Sequence, residues 1–153
     1  MLSKYITVLV FSSLFFVACQ SEEKTSNEIP PTHDNALSAV DSLSRARLND
    51  YINRNIDLSQ NLYKRALILL KLGDYELALA DINKALSLAP NQGQYHYTKG
   101  KVLRELNQIK PALESAQRAE ALQEKSPGLY VLLADLNQEN KQFTEARRYI
   151  RVA

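Results

Sequence analysis

The chain has 153 residues, of which 45% are hydrophobic and 24% are charged, as is typical of a protein with one folded domain. Its 19 lysines and arginines nearly balance its 17 aspartates and glutamates, and the basic residues form no long tract. This distribution argues against nucleic acid as a partner, because nucleic-acid-binding proteins concentrate basic residues on one surface.

Residues 1–18 differ in kind from the rest of the chain. Lys4 precedes an almost wholly apolar run over residues 5–18, which has the length of a signal-peptide hydrophobic region and is too short to span a bilayer. Ala18 and Cys19, at the end of this run, resemble the cleavage site of a bacterial lipoprotein signal peptide. The resemblance implies that residues 1–18 are removed and that the Cys19 sulfur receives lipid, with fatty acyl chains such as palmitate. An ordinary cleaved signal peptide with an incidental cysteine is the alternative.

Cys19 is the only cysteine, so it has no partner for an intramolecular disulfide. Two or more acyl chains on it would anchor the protein stably to a membrane. Gln20 follows the cysteine and, by the sorting rule of the lipoproteins that this segment resembles, implies an outer-membrane lipoprotein of the cell envelope. Glu22 and Glu23 also resemble a surface-export signal, although a solvated linker is the commoner explanation of two glutamates.

Residues 19–33 are predicted to be the lipidated cysteine and a disordered linker, because they are rich in Ser, Glu, Thr, Asn and Pro. The folded domain is expected over residues 34–153. Its first segment, residues 34–55, has apolar residues at helical spacing and is predicted to be a capping helix that Thr32 or Asp34 begins. The apolar positions of this segment are Leu37, Val40, Leu43, Leu48, Tyr51 and Ile52.

One pattern occurs three times in the remaining sequence, and its copies are equally spaced. For example, a small residue recurs at positions 66, 100 and 134. Within the first copy, Gly73 suits the end of one helix, Asp74 the start of the next, and Pro90 the end of the second. Each copy is therefore predicted to be a helical hairpin. The repeated columns are Ala66, Gly100 and Ala134; Tyr75, Ile109 and Phe143; Ala78, Ala112 and Ala146; and Ala85, Ala119 and Ala153.

Residues 73–92, GDYELALADINKALSLAPNQ, resemble the tetratricopeptide repeat over the whole of its second helix. The resemblance implies an all-α fold, namely a short right-handed α-solenoid of about three helical hairpins. The repeats would cover about residues 59–92, 93–126 and 127–153. About three hairpins are needed because a single one cannot bury its apolar face.

The final helix is predicted from about Phe143 to Ala153, without a polar capping helix after it. Tyr149, Ile150 and Val152 are therefore expected to be partly exposed. This exposure suggests self-association, so the protein is a candidate homo-oligomer.

No arrangement of residues indicates catalysis. His33 falls in the predicted linker, and His96 shares a column with Leu62 and Tyr130, where a bulky side chain packs. No metal-ligand spacing accompanies either histidine, and no glycine-rich loop suggests phosphate binding. We therefore expect no metal, no cofactor and no enzymatic activity.

In the repeats that this chain resembles, the first helices of the hairpins line a concave groove that takes a segment of another protein. The resemblance implies that Lys101 and Arg104 hold acidic groups and that tyrosines stack on the ligand. The carboxylate clamp of the chaperone-binding members is absent, since its positions hold Tyr63, Leu67, Thr98, Gly128 and Leu132. The expected groove residues are Gln60, Tyr63, Leu67, Gln94, Tyr97, Lys101, Arg104, Val131, Asp135 and Gln138.

These features together predict a lipid-anchored, non-catalytic scaffold that binds an envelope protein through its groove. The alternative is a structural subunit that assembles through its C-terminal helix, with itself or within a larger complex. The identity of the protein partner does not follow from the sequence.

Overall fold

The computed structural model describes residues 33–153, with side chains from Val40 onward. The predicted signal peptide, Cys19 and the predicted linker up to Thr32 lie outside the described residues, whereas His33, predicted as the last linker residue, begins the first helix. No helix between residues 33 and 153 is both long and apolar enough for a transmembrane span. The described part is all-helical, with α1 (His33–Asn53), α2 (Leu58–Leu72), α3 (Tyr75–Leu88), α4 (Gly93–Glu105), α5 (Ile109–Ala121), α6 (Pro127–Glu139) and α7 (Phe143–Ile150).

Six of these helices form three consecutive hairpins, α2 with α3, α4 with α5, and α6 with α7. The second helix of each hairpin packs on the first helix of the next, and α1 packs on α2 in the same manner. The first helices also contact one another, α2 with α4 and α4 with α6, so they form one face of the stack. The all-α solenoid predicted from the sequence is confirmed.

Small residues allow the helices of each hairpin to approach closely. Ala66, Ala78, Ala112 and Ala119 are completely buried. A Cβ atom added to Gly100 would lie 3.2 Å from the carbonyl oxygen of Ala112, so glycine suits this crossing. The core that surrounds these crossings consists mainly of leucine and alanine side chains.

The turn inside each hairpin repeats with the same period. Gly73 has a φ of +84°, and its backbone N–H faces the carbonyls of Leu69 and Leu70, as a helix C-cap requires. Asn107 and Lys141, one and two periods later, also have positive φ values. Asp74 occupies the predicted N-cap position, but its side chain makes no capping hydrogen bond.

The C-terminal end differs from the prediction. Helix α7 ends at Ile150, so Ala153 is exposed and does not complete its column. Tyr149, which was expected to be partly exposed, is buried because its ring stacks on Tyr130 of α6. Ile150 and Val152 are exposed, as expected, and so is Phe143.

Helix α1 contacts α2 and the turn after α2 through both polar and apolar side chains. Leu48 is buried, but the predicted apolar positions Val40, Leu43 and Tyr51 point into solvent. The polar contacts join Lys71 to Asp41 (2.6 Å), Arg65 to Asn49 (2.8 Å) and Arg45 to Asp74 (3.7 Å).

Candidate protein-binding groove

The ten predicted groove residues lie on α2, α4 and α6, the three first helices that contact one another. They recur at matching places in each helix, so they follow the same face from one hairpin to the next. None is fully buried. Exposed side chains are those of Gln60, Leu67, Gln94, Val131 and Gln138, and partly exposed ones are those of Tyr63, Tyr97, Lys101, Arg104 and Asp135.

Arg104 already has two carboxylate partners within the protein. Its Nη1 lies 3.1 Å from Asp135 Oδ2, and its Nε lies 3.4 Å from Glu139 Oε1. These contacts tie α4 to α6 across the groove, so a ligand carboxylate would have to compete with them. Glu139 was not among the predicted residues, although it lies one helical turn after Asp135.

Lys101 is the groove cation that remains available. Its Nζ lies 5.5 Å from the ring centroid of Tyr97, a cation–π distance. Among the residues that the structure describes, no carboxylate forms an ion pair with Lys101. A ligand carboxylate at this point would meet one ammonium group and one tyrosine side chain.

Tyr63 is held by residues of the neighbouring first helix. Its ring stacks on Tyr95 of α4, with 4.4 Å between the ring centroids, and its hydroxyl hydrogen-bonds with Thr98. Burial raises the pKa of Tyr63, so the hydroxyl remains protonated at neutral pH. Tyr95 was not among the predicted groove residues. It is buried beside the groove and supports Tyr63 from there.

Tyr97 extends from α4 over the first turn of α6. A Cβ atom added to Gly128 would lie 2.5 Å from the Tyr97 hydroxyl oxygen, so this position of the ring requires glycine at residue 128. Burial raises the pKa of Tyr97, and the carboxylate of Glu124 raises it further. The Tyr97 hydroxyl is therefore a neutral hydrogen-bonding group at the edge of the groove.

His96, the histidine within the repeats, contacts the backbone. The Nε2 atom of His96 lies 2.9 Å from the carbonyl oxygen of Pro90, so this ring fastens a turn. No group of three or more His, Cys, Asp and Glu side chains between residues 33 and 153 is placed to hold a metal ion. Two cavities of about 430 Å³ lie away from the groove, at α7 and at the junction of α1, α2 and α3.

Comparison with known proteins agrees with the repeat architecture. Residues 60–92 match the model of the tetratricopeptide repeat. No curated protein has a matching sequence.

Solved structures of MamA share the fold. MamA from Desulfovibrio magneticus RS-1, from residue 41 to the end, is 19% identical with a TM-score of 0.68, and the alignment covers 76% of this chain and 67% of that one. An ArsTM double mutant of MamA RS-1 is 18% identical, with coverages of 76% and 66% and a TM-score of 0.69. A further MamA crystal structure is 14% identical, with coverages of 78% and 70% and a TM-score of 0.69.

The chain spans about two thirds of the length of these MamA structures. At such low identity the similarity concerns the fold alone. The chain thus contains a tetratricopeptide repeat at residues 60–92, within an all-α stack of three helical hairpins.

Proposed function

We propose that the protein is a non-catalytic scaffold that binds a segment of another protein along the face formed by α2, α4 and α6. The observation that carries this proposal is the pairing of Lys101 with Tyr97 at the middle of that face, where the ammonium group lacks a carboxylate partner among the described residues. A face that continues over three successive first helices suits an extended peptide.

The chemistry of the face changes from one edge to the other. At α2 it presents Tyr63 and the exposed aliphatic side chain of Leu67. At α6 it presents Asp135 and Glu139, both already bound to Arg104. We therefore propose a ligand that places an apolar side chain at α2 and an acidic group at Lys101.

Capture of partners from the envelope by the full chain tests this site. Tyr97→Ala and Lys101→Ala should each reduce recovery of the specific partner at least fivefold, whereas Gln117→Ala, on the exposed side of the second helix α5, should leave it unchanged. Equal recovery with all three variants would remove the groove as the binding site.

We further propose that the protein works in the cell envelope, anchored by lipid on Cys19. The support is the sequence alone, namely the apolar run of residues 5–18, the single cysteine after Ala18 and the polar segment that follows. Fractionation of cells that express Cys19→Ser tests the anchor. A soluble variant supports lipidation, and one that stays with the membrane contradicts it.

A second candidate is a structural subunit that assembles through α7. Ile150 is exposed, whereas its counterparts in the first and second hairpins, Ile82 and Ala116, are completely buried. A charged residue at Ile150 should then disrupt a complex that groove variants leave intact, as measured by light scattering.

A further inference from the structure

Helix α1 occupies the position of the second helix of a hairpin. It packs on α2 as α3 packs on α4 and as α5 packs on α6. Moving α3 (Tyr75–Leu88) back by one period of the repeat places it on residues 41–54, most of which lie in α1. Within residues 33–153, however, no first helix covers the other side of α1.

Two columns of residues reveal the uncovered side. Asp81 and Ser115 are buried by the first helix of their own hairpin, but their counterpart Arg47 is exposed. Ala85 and Ala119 are completely buried, but their counterpart Tyr51 is 42% exposed. Val40 and Leu43, also exposed, continue this side toward the start of α1, and we call Val40, Leu43, Arg47 and Tyr51 the α1 stripe.

The first hairpin indicates what chemistry belongs at these positions. Asp81 accepts two hydrogen bonds of 2.6 Å from Arg65 of its first helix, and the Ala85 carbonyl accepts one of 3.3 Å from the small residue Ser59. In α1 the charge is reversed, because Arg47 stands where Asp81 would be. Arg47 forms no ion pair with the other described residues.

A helix that covers the α1 stripe must match the side chains of Arg47 and Tyr51. It needs a carboxylate opposite Arg47, since burying an unpaired guanidinium is costly. It also needs a small residue opposite Tyr51, because a tyrosine fills the place that alanine leaves free in the other hairpins. The α1 stripe of a second copy of the chain offers neither a carboxylate nor a small residue at these places. Two-fold pairing of two copies would also bring Arg47 close to the Arg47 of the second copy.

We infer that the α1 stripe is a second docking surface, separate from the groove, which receives one amphipathic helix of another protein with a carboxylate facing Arg47. Such a helix would complete a fourth hairpin. This surface does not depend on the groove, so either can exist without the other.

A synthetic peptide of residues 56–73 tests this inference, since it contains α2, the natural first helix, with Ser59 already in place. The peptide with Arg65→Glu should bind the full chain about tenfold more tightly than the unchanged peptide, the ratio expected for one charge-assisted hydrogen bond. The full-chain variant Arg47→Glu should reverse this preference, and Tyr97→Ala should not alter it. Equal binding of both peptides, or a preference unaffected by Arg47→Glu, would overturn the inference.

The place where the peptide binds is tested with a photoreactive residue, p-benzoylphenylalanine, at position 51 of the full chain held in phospholipid vesicles. Irradiation with the Arg65→Glu peptide should give the mass of a chain–peptide adduct. A crosslink to a second copy, to lipid or to residues 1–32 of the same chain as the main product would overturn the inference.

Discussion

Arg65 of α2 and Asp81 of α3 form an ion pair through two hydrogen bonds, with Nε and Nη2 each 2.6 Å from a carboxylate oxygen. The Asp81 side chain is nearly buried, and the hydrogen bond with Asp81 raises the pKa of Arg65. Arg65 also donates to Asn49 of α1, so one guanidinium connects three helices. This connection fixes the first hairpin and the N-terminal helix to each other.

Replacing Asp81 with alanine should lower the free energy of unfolding by about 2–4 kcal/mol, because it leaves the partly buried Arg65 guanidinium without its carboxylate. Urea denaturation measures the loss. The control is Arg54→Ala, which breaks an exposed pair with Asp50 and should change stability by less than about 0.5 kcal/mol. Similar losses in both variants would show that the Arg65–Asp81 pair has no special structural role.

Ile82 and Ile150 occupy the same column, in the first and third hairpins, but have opposite environments. Ile82 is completely buried and Ile150 is 61% exposed. Ile82→Ala should therefore cost about 2–5 kcal/mol of unfolding free energy, mainly through the cavity that it leaves. Ile150→Ala should cost less than about 0.5 kcal/mol. A cost for Ile150→Ala close to that of Ile82→Ala would mean that α7 is covered in solution.

Tyr149 makes stability depend on alkaline pH. Burial, with the 2.8 Å hydrogen bond that its hydroxyl donates to Glu120, raises the pKa of Tyr149 from 10.0 to about 12. Below pH 10 the hydroxyl is protonated in both folded and unfolded chains, so its stabilising contribution is complete. Between pH 10 and about 12 the unfolded chain loses the proton first, and the contribution decreases.

The Tyr149→Phe variant isolates this contribution. At pH 8 it should be less stable than the wild type by about 1 kcal/mol, the usual net value of one hydrogen bond. The difference should shrink as the pH rises from 10 to about 12, measured by urea denaturation at each pH. A difference that stays constant over this range would contradict the raised pKa.

Alanine substitutions at Gly128 and Gly73 should separate effects on partner binding from effects on stability. A methyl group at Gly128 would displace the Tyr97 hydroxyl but meets only the end of a flexible side chain, so Gly128→Ala should weaken partner capture while changing stability by less than about 0.5 kcal/mol. Gly73 has open space around it and a φ of +84°. Gly73→Ala should cost about 1–2 kcal/mol of stability through backbone strain and leave partner capture unchanged. The reverse pattern would place Tyr97 outside the binding site.

The hairpins could be predicted from the sequence because their signals are local and repeated. The alanine and glycine columns recur without an insertion, and Gly73 marks the turn of the first hairpin. The structure adds that Asn107 and Lys141, at the same position of the later hairpins, share its positive φ. The number of hairpins and the helices that carry the groove residues followed from this periodicity.

Tertiary contacts between side chains could not be predicted from spacing. The sequence does not show that Arg104 is bound by Asp135 and Glu139, because these partners lie on the next first helix, beyond the whole of α5. The burial of Tyr149 depends on Glu120 and Tyr130 of other helices. The apolar spacing of α1 gave no indication of which side meets α2, since both sides carry apolar residues.

Photocrosslinking in intact cells tests whether a protein segment binds along α2, α4 and α6. The photoreactive residue is placed at Val131, an exposed groove position on α6, and, as the matched control, at Gln117 on α5. We expect an adduct of defined mass from position 131 and none from position 117, with the position 131 adduct lost when Tyr97→Ala is added. Equal adducts from both positions, or an adduct from position 117 alone, would contradict binding along this face.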